Sequence, residues 1–323
     1  MPESMPELPP CFCGAVSTKS IREYKAKWGV VTLIQCSQCR AWRSSLFPDE
    51  QDLATLYTEN SIYKRPTDRE FLQQRDGFRH IVDDLRSLPV SPGSLVEVGC
   101  NSGYTLSLMQ ENGWSVTGIE SNRECAEYAR KILSVPIHAE LKDLAANTRF
   151  DVALMSHVLE HVSNPNQLLQ DIRSRLNKKG IIYVKVPNYG SWTVRHVIRG
   201  KWASFLPLQH LWYFDSRSLC QLLKSAGFLP ERIYTRDRFS LHGKNLLYSA
   251  ARTPFACWSR LAGFDGGELV GMFSQDSSIT NAVRANIRPP KRVSTVAREM
   301  AALYTDVLEQ RAGRPQSRTE PAV

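Results

Sequence analysis

The chain has 323 residues, 42% of them apolar, and 41 Lys and Arg against 32 Asp and Glu give a formal net charge of +9. That length suits one large domain plus a smaller one, with a core that needs no disulfide support. No stretch approaches about 18 consecutive apolar residues, and the first ten residues are acidic and proline-rich, so the reading is cytoplasmic, without a secretory signal or membrane span.

Residues 1–47 carry two close cysteine pairs, Cys11-x-Cys13 and Cys36-x-x-Cys39, separated by short alternating segments such as 29–34 that read as a β-hairpin. In a reducing compartment four thiolates so spaced suit tetrahedral structural zinc, each pair on a turn at the end of a hairpin. A module this small needs a metal to fold. All four ligands are protein, so the site is closed and not catalytic. Residues 48–91 read as a helical linker or lid, with Phe71, Phe78, Ile81, Val82, Leu85 and Leu88 near helical spacing before the break at Ser91-Pro92-Gly93.

Residues 92–251 alternate apolar strands with amphipathic helices. Strands are expected at 95–99, 115–119, 135–139, 150–155, 181–186, 228–234 and 244–250, and helices at 104–112, 122–133, 165–177 and 216–226. Asn164 caps a helix with Pro165 at its first position, and Gly227 follows the last turn of another. Such alternation implies a parallel sheet covered on both faces. Residues 252–323 form a C-terminal extension with one helix near 293–310 and a polar end expected to be disordered. Residues 186–250 hold nine basic and three acidic side chains, a stretch that attracts anions.

The chemistry centres on Glu97-Val98-Gly99-Cys100-Asn101-Ser102-Gly103, a strand running into a glycine-bearing turn and a helix. Glycine lets backbone approach a ligand closely, and a helix N-terminus offers unpaired amides. Glu120 ends the next strand, where a carboxylate can accept both hydroxyls of a ribose. A dinucleotide fingerprint needs glycine at the third and sixth loop positions, which are Asn101 and Tyr104 here. No Walker loop is present either.

The stretch resembles the first motif of class I S-adenosylmethionine-dependent methyltransferases. Gly99 and Gly103 match its outer glycines, and Asn101, the side chain best suited to a left-handed turn, stands for the middle one. The resemblance continues through Glu120, Phe150-Asp151-Val152, Ser156-His157-Val158-Leu159-Glu160-His161, Asn177-Lys178-Lys179-Gly180, Val186-Pro187-Asn188, His210-Leu211-Trp212-Tyr213-Phe214 and Ser225-Ala226-Gly227-Phe228. It implies an α/β fold with a seven-stranded Rossmann-like sheet whose last strand is antiparallel, and S-adenosylmethionine as methyl donor. By the same resemblance Glu97 and Gly99 flank the methionine moiety, Glu120 holds the ribose and Ala139-Glu140 lie beside the adenine. Cys100, Asn101, Gly103, Ser121 and Ser156 complete the expected cofactor site.

His157-x-x-Glu160-His161 also spells an inverzincin peptidase motif. Ser163-Asn164-Pro165 follows at once, leaving room for little more than one helical turn. Methyl transfer is an in-line displacement from an activated sulfonium, so the protein mainly aligns the acceptor and removes its proton. His157 and His161 are candidate bases, with Glu160 orienting one of them, and His210 lies in the stretch that covers the acceptor in related enzymes. Tyr63, Tyr213 and Arg195 are candidate substrate contacts. Lys185, inside an apolar strand, has no account at this level.

A zinc ribbon ahead of this pattern resembles bacterial enzymes that methylate sugars, nucleotide-linked sugars or other biosynthetic intermediates, with Tyr57 and Tyr63 placed to help close the acceptor site. The acceptor is expected to be a small anionic molecule. The family's longer C-methyltransferases carry a further C-terminal domain that this tail is too short to supply, which favours O- or N-methylation. One alternative is an RNA methyltransferase using the zinc ribbon for recognition, although residues 1–90 balance at 12 basic and 12 acidic side chains. Another is a non-catalytic binding protein on the same fold.

Overall fold

Strands of Val, Ile and Leu separated by capped helices fold into the expected α/β architecture. The computed structural model describes residues 10–26, 29–45, 65–191, 194–195, 202, 204–206, 209–236 and 268–276. Tyr57, Tyr63, Arg199, Lys201, the strand expected at 244–250 and the helix expected at 293–310 lie outside the described residues.

The N-terminal part contributes β1 (Thr18–Ala26), β2 (Gly29–Cys36) and β3 (Trp42–Ser44). Helices α1 (Asp68–Asp76) and α2 (Arg79–Arg86) follow. Then come β4 (Ser94–Val98), α3 (Tyr104–Glu111), β5 (Ser115–Ile119), α4 (Arg123–Leu133) and β6 (Ile137–His138). The second half runs β7 (Phe150–Ser156), α5 (Pro165–Arg175), β8 (Leu176–Pro187), β9 (Trp212–Tyr213), α6 (Ser216–Ser225), β10 (Leu229–Arg236) and β11 (Glu268–Ser274).

The main sheet has seven strands in the order β10-β11-β8-β7-β4-β5-β6. The contiguous set β6 to β8 pairs in parallel, whereas β11 is antiparallel to both its neighbours. The strands β4, β7 and β8 are buried through most of their length, as their continuous apolar runs require. Helix starts follow local chemistry. The Asn164 and Asn122 side chains accept from the amides of Gln167 and Cys125, both at 3.1 Å, and Pro165 opens α5.

The antiparallel strand is 268–274, which lies beyond residue 251; its sequence, Glu-Leu-Val-Gly-Met-Phe-Ser, is buried on both faces and so lacks alternation. Ile81, Val82 and Leu85 of α2, with Leu88 after it, pack into the same core as Leu154, Tyr183, Val270 and Met272, each large side chain worth roughly 2 kcal/mol. The four-stranded sheet of the cysteine module runs β1-β2-β3-β9, so its fourth strand comes from after β8 in the chain.

A polar tie reinforces the helical layer. Tyr183 donates to Asp84 Oδ2 at 2.9 Å, and Arg236 reaches Asp84 Oδ1 at 3.1 Å. Asp84→Ala leaves a buried phenol without its acceptor and is expected to cost about 2–3 kcal/mol, read as a lower urea midpoint with an unchanged slope.

Candidate functional site

The loop from Gly99 to Gly103 leaves β4 and enters α3 through three left-handed residues, Gly99 (φ 70°), Asn101 (φ 51°) and Gly103 (φ 85°). Asn101 occupies the conformation its chemistry suits. At Gly103 a Cβ would meet Leu133 Cδ1 at 2.7 Å, so this glycine also lets α3 lie close to α4.

The loop amides from Gly99 to Gly103 are engaged within the fold. Gly99 and Cys100 donate to the Ile119 carbonyl at 2.8 and 3.1 Å. Asn101 donates to Glu120 Oε2 at 2.7 Å, Ser102 to Asn101 Oδ1 at 2.6 Å, and Gly103 to the Cys100 carbonyl at 2.9 Å. What the loop presents instead are acceptors. Glu120 accepts from the amides of Asn101 and Asn122, and from that of Ser121, and a carboxylate has about four lone-pair sites. Burial pushes its carboxyl upward, against the pull of those amides. Glu97 is buried, and one of its oxygens, Oε2, has no partner. Burial lifts its carboxyl to about 8, opposed by the Thr105 hydroxyl and raised further by Glu120.

The other expected cofactor residues divide. The Glu120 amide donates to the His138 carbonyl at 2.8 Å, so Ser121 and the Ala139-Glu140 stretch leave neighbouring strand ends. Glu140 is exposed and pairs with Lys142 at 2.7 Å. The Ser156 hydroxyl is buried without a partner at the end of β7. The Cys100 thiol, by contrast, points inward: a Cβ on Gly118 would meet its sulfur at 2.6 Å. It is packing, since a thiol is among the side chains most readily buried.

Beyond β7 the chain turns sharply through His157, itself left-handed at φ 59°, whose amide donates to the Lys185 carbonyl at 2.8 Å. A Cβ on Gly99 would meet Val158 Cγ2 at 2.7 Å, so this turn lies directly against the glycine loop. Residues 157–161 do not form a helix, and the two histidines face different partners. His157 Nδ1 lies 3.1 Å from Glu160 Oε1, and its Nε2 lies 3.1 Å from Glu268 Oε1. Burial would push this imidazole down, but the two carboxylates prevail and hold it above its ordinary value. Both ring nitrogens of His157 are therefore occupied within the fold.

Glu160 has no exposed surface. Against the cost of burial, the hydrogen bond to His157 and the neighbouring imidazoles hold its carboxyl down to about 2. Its backbone carbonyl accepts from Leu211 and Trp212 at 2.7 and 3.1 Å, bringing the stretch before β9 onto the turn. His161 donates from Nδ1 to the Gln209 carbonyl at 2.9 Å and stacks edge-on against His210, ring centroids 4.6 Å apart. Burial pushes both imidazoles down, His210 to about 4, so both are neutral at pH 7.

Lys185 now has an account. It is buried, 3.7 Å from Glu268 Oε1, with its ammonium 5.2 Å from the Phe78 ring centre. Glu160, His157, Glu268 and Lys185 thus form a buried chain of alternating charge.

The four cysteines Cys11, Cys13, Cys36 and Cys39 converge, every Sγ within 4.8 Å of the others and none in a disulfide. The set fits a tetrahedral S4 site. Arg40, left-handed at φ 64°, closes the second knuckle. The Phe12 ring lies 5.3 Å from that of Trp212, and the Ser44 amide donates to the Leu211 carbonyl at 2.8 Å. The cysteine module and the histidine cluster therefore share the segment 209–213.

A family model described as a methyltransferase domain matches residues 70–231. The chain belongs to this methyltransferase family. Among curated relatives, the mitochondrial ubiquinone biosynthesis O-methyltransferase of Saccharomyces cerevisiae is 34% identical over 105 residues, 29% of this chain and 34% of that protein. The C-methyltransferase NovU of Streptomyces niveus is 26% identical over 182 residues, 54% of this chain and 41% of that protein. The chain spans less than half the length of these relatives. Among solved structures, the Burkholderia thailandensis 1,6-didemethyltoxoflavin-N1-methyltransferase aligns at a TM-score of 0.49 and 16% identity, covering 79% of this chain and 99% of that one.

Within the methyltransferase domain, two expected substrate contacts also have partners or neighbours within the fold. Arg195 donates from Nε to the Tyr189 carbonyl at 2.8 Å and pairs with Asp215 at 3.2 Å, so its guanidinium is engaged within the fold. Tyr213 is buried among Tyr189, Trp202 and Phe205, its hydroxyl without a partner, 6.4 Å ring to ring from His210. Glu268 was missed: it belongs to no motif and lies 111 residues from His157. Its only signal is its place at the head of an apolar run.

The loop geometry makes a paired expectation. Asn101→Gly keeps the left-handed backbone but removes the acceptor of the buried Ser102 amide and costs about 1 kcal/mol, whereas Gly103→Ala costs about 1–3 kcal/mol through strain and the clash with Leu133. Urea unfolding of the two variants checks both.

Proposed function

We propose that the chain is an S-adenosylmethionine-dependent methyltransferase acting on a small molecule, a sugar, nucleotide-linked sugar or other biosynthetic intermediate. One observation carries the donor side of this reading. The glycine loop has spent its amides internally and presents carboxylate oxygens. A phosphate needs donors, and the loop amides from Gly99 to Gly103 offer none that is unspent. A ligand with ribose hydroxyls, an ammonium and a sulfonium needs acceptors, which Glu120 and the unpartnered Glu97 Oε2 supply.

On the acceptor side, His161 and His210 are the neutral imidazoles and flank Glu160, where the acceptor's proton is handled. His157 serves as a positioning residue held between two carboxylates. Oxygen or nitrogen acceptors ask least of this arrangement, because their lone pairs attack without a carbanion having to form first. Carbon methylation is the second reading, favoured by the likeness to NovU over 54% of the chain. The cysteine tetrad holds one structural zinc, which keeps the module in register with β9. Cys39→Ser is expected to release that zinc, read by metal analysis, and to lower the melting temperature.

Calorimetric titration with S-adenosylhomocysteine tests the donor site. Binding in the micromolar range, about −8 kcal/mol, is expected for the wild type and is lost in Glu120→Ala. No binding to folded protein removes the donor assignment. The Glu97 carboxyl, lifted to about 8, holds its proton at pH 7 in the free protein. An ammonium placed beside it favours the carboxylate, so binding releases protons and tightens as pH rises towards about 8. The binding enthalpy at pH 7 should therefore depend on the buffer's ionisation enthalpy, and Glu97→Gln should abolish that dependence.

A further inference from the structure

Outside the cysteine tetrad, one group of side chains among the described residues has the chemistry and spacing of a metal centre. Glu160, His161 and His210 each offer a ligand atom, all within 4.8 Å of one another. We infer that these three residues bind a divalent transition ion, a second metal centre distinct from the cysteine site.

Four features of the geometry support it. Two imidazoles and a carboxylate form the donor set that suits zinc, iron(II) or cobalt(II) and suits magnesium or calcium poorly. Glu160 is fully buried, and its Oε1 is committed to His157 while Oε2 has no partner. An orphaned carboxylate oxygen in the interior is costly, and a cation would satisfy it. The two rings stand edge to face at 81°, and one nitrogen of each lies within 4.8 Å of the other and of a Glu160 oxygen. Finally, both imidazoles also bond to backbone. His161 donates from Nδ1 to the Gln209 carbonyl, and His210 bonds to the backbone of Ser204. This is the outer support that ligating histidines carry.

The segments are also fixed relative to one another. The Leu211 and Trp212 amides hold the Glu160 carbonyl, tying the chain next to His210 to the turn that carries Glu160 and His161. With three protein ligands the ion keeps open positions, as catalytic centres do and the cysteine site does not. An oxygen of the acceptor bound there would have its proton made more acidic. That last consequence rests on the proposed methyl transfer; the ion's binding does not.

The test uses the full chain with its cysteine site loaded with zinc. Cobalt(II) is titrated in, followed by calorimetry and by visible absorption. One further equivalent is expected, without thiolate-to-cobalt charge-transfer bands, since its ligands are nitrogen and oxygen. His210→Ala and His161→Ala should each weaken that equivalent by at least about tenfold, while zinc content and S-adenosylhomocysteine binding confirm the fold. Cobalt uptake confined to exchange into the cysteines, seen in the wild type alone by its charge-transfer bands, overturns the inference. So does a further equivalent that both histidine variants retain. Because cobalt binding is read without any methyl donor, its failure is distinguishable from failure of the methyltransferase reading.

Discussion

A carboxylate with no exposed surface must be compensated by its neighbours, and Glu160 organises this molecule through that requirement. Its Oε1 draws His157 into place, His157 draws Glu268, and Glu268 draws Lys185. The chain of alternating charge crosses from the turn after β7 to β8 and β11. It therefore fixes, in one network, the strand ends that surround the glycine loop. Through its backbone carbonyl the same residue anchors Leu211 and Trp212. Removing the carboxylate would leave His157 Nδ1 in the interior without its Glu160 partner.

Features encoded over short stretches were legible in the sequence. The left-handed Asn101, the cap at Asn164, the glycine after α6 and most strands follow from side-chain chemistry acting over a few residues. The order of motifs carried the sheet topology, including the antiparallel strand, though not which residues form it. Strand β11 escaped because a strand buried on both faces has no period to detect. The two-residue strand β9 is too short to have a pattern at all.

Side-chain roles were harder to read, because a role depends on what lies opposite. His157 and His161 look equivalent in the sequence, yet Glu160 and Glu268 hold one above its ordinary value and burial holds the other below. Arg195 read as a substrate contact because it sits in a basic stretch, but Asp215 lies 20 residues on and takes it. Glu97 was expected beside a ligand, and its burial with one unpartnered oxygen keeps that possibility while adding a raised carboxyl that no local pattern announces.

The pairing of Trp42 and Arg43 with Tyr213 and Trp212 has a consequence for how the chain comes into being. The cysteine hairpin emerges early from the ribosome, but its sheet lacks its fourth strand until residue 213 has been translated. Until then β3 is an edge with unpaired backbone groups, the kind of surface that invites pairing with other nascent chains. The same dependence bears on evolution by recombination. A cysteine module transplanted onto another domain would leave its last strand behind.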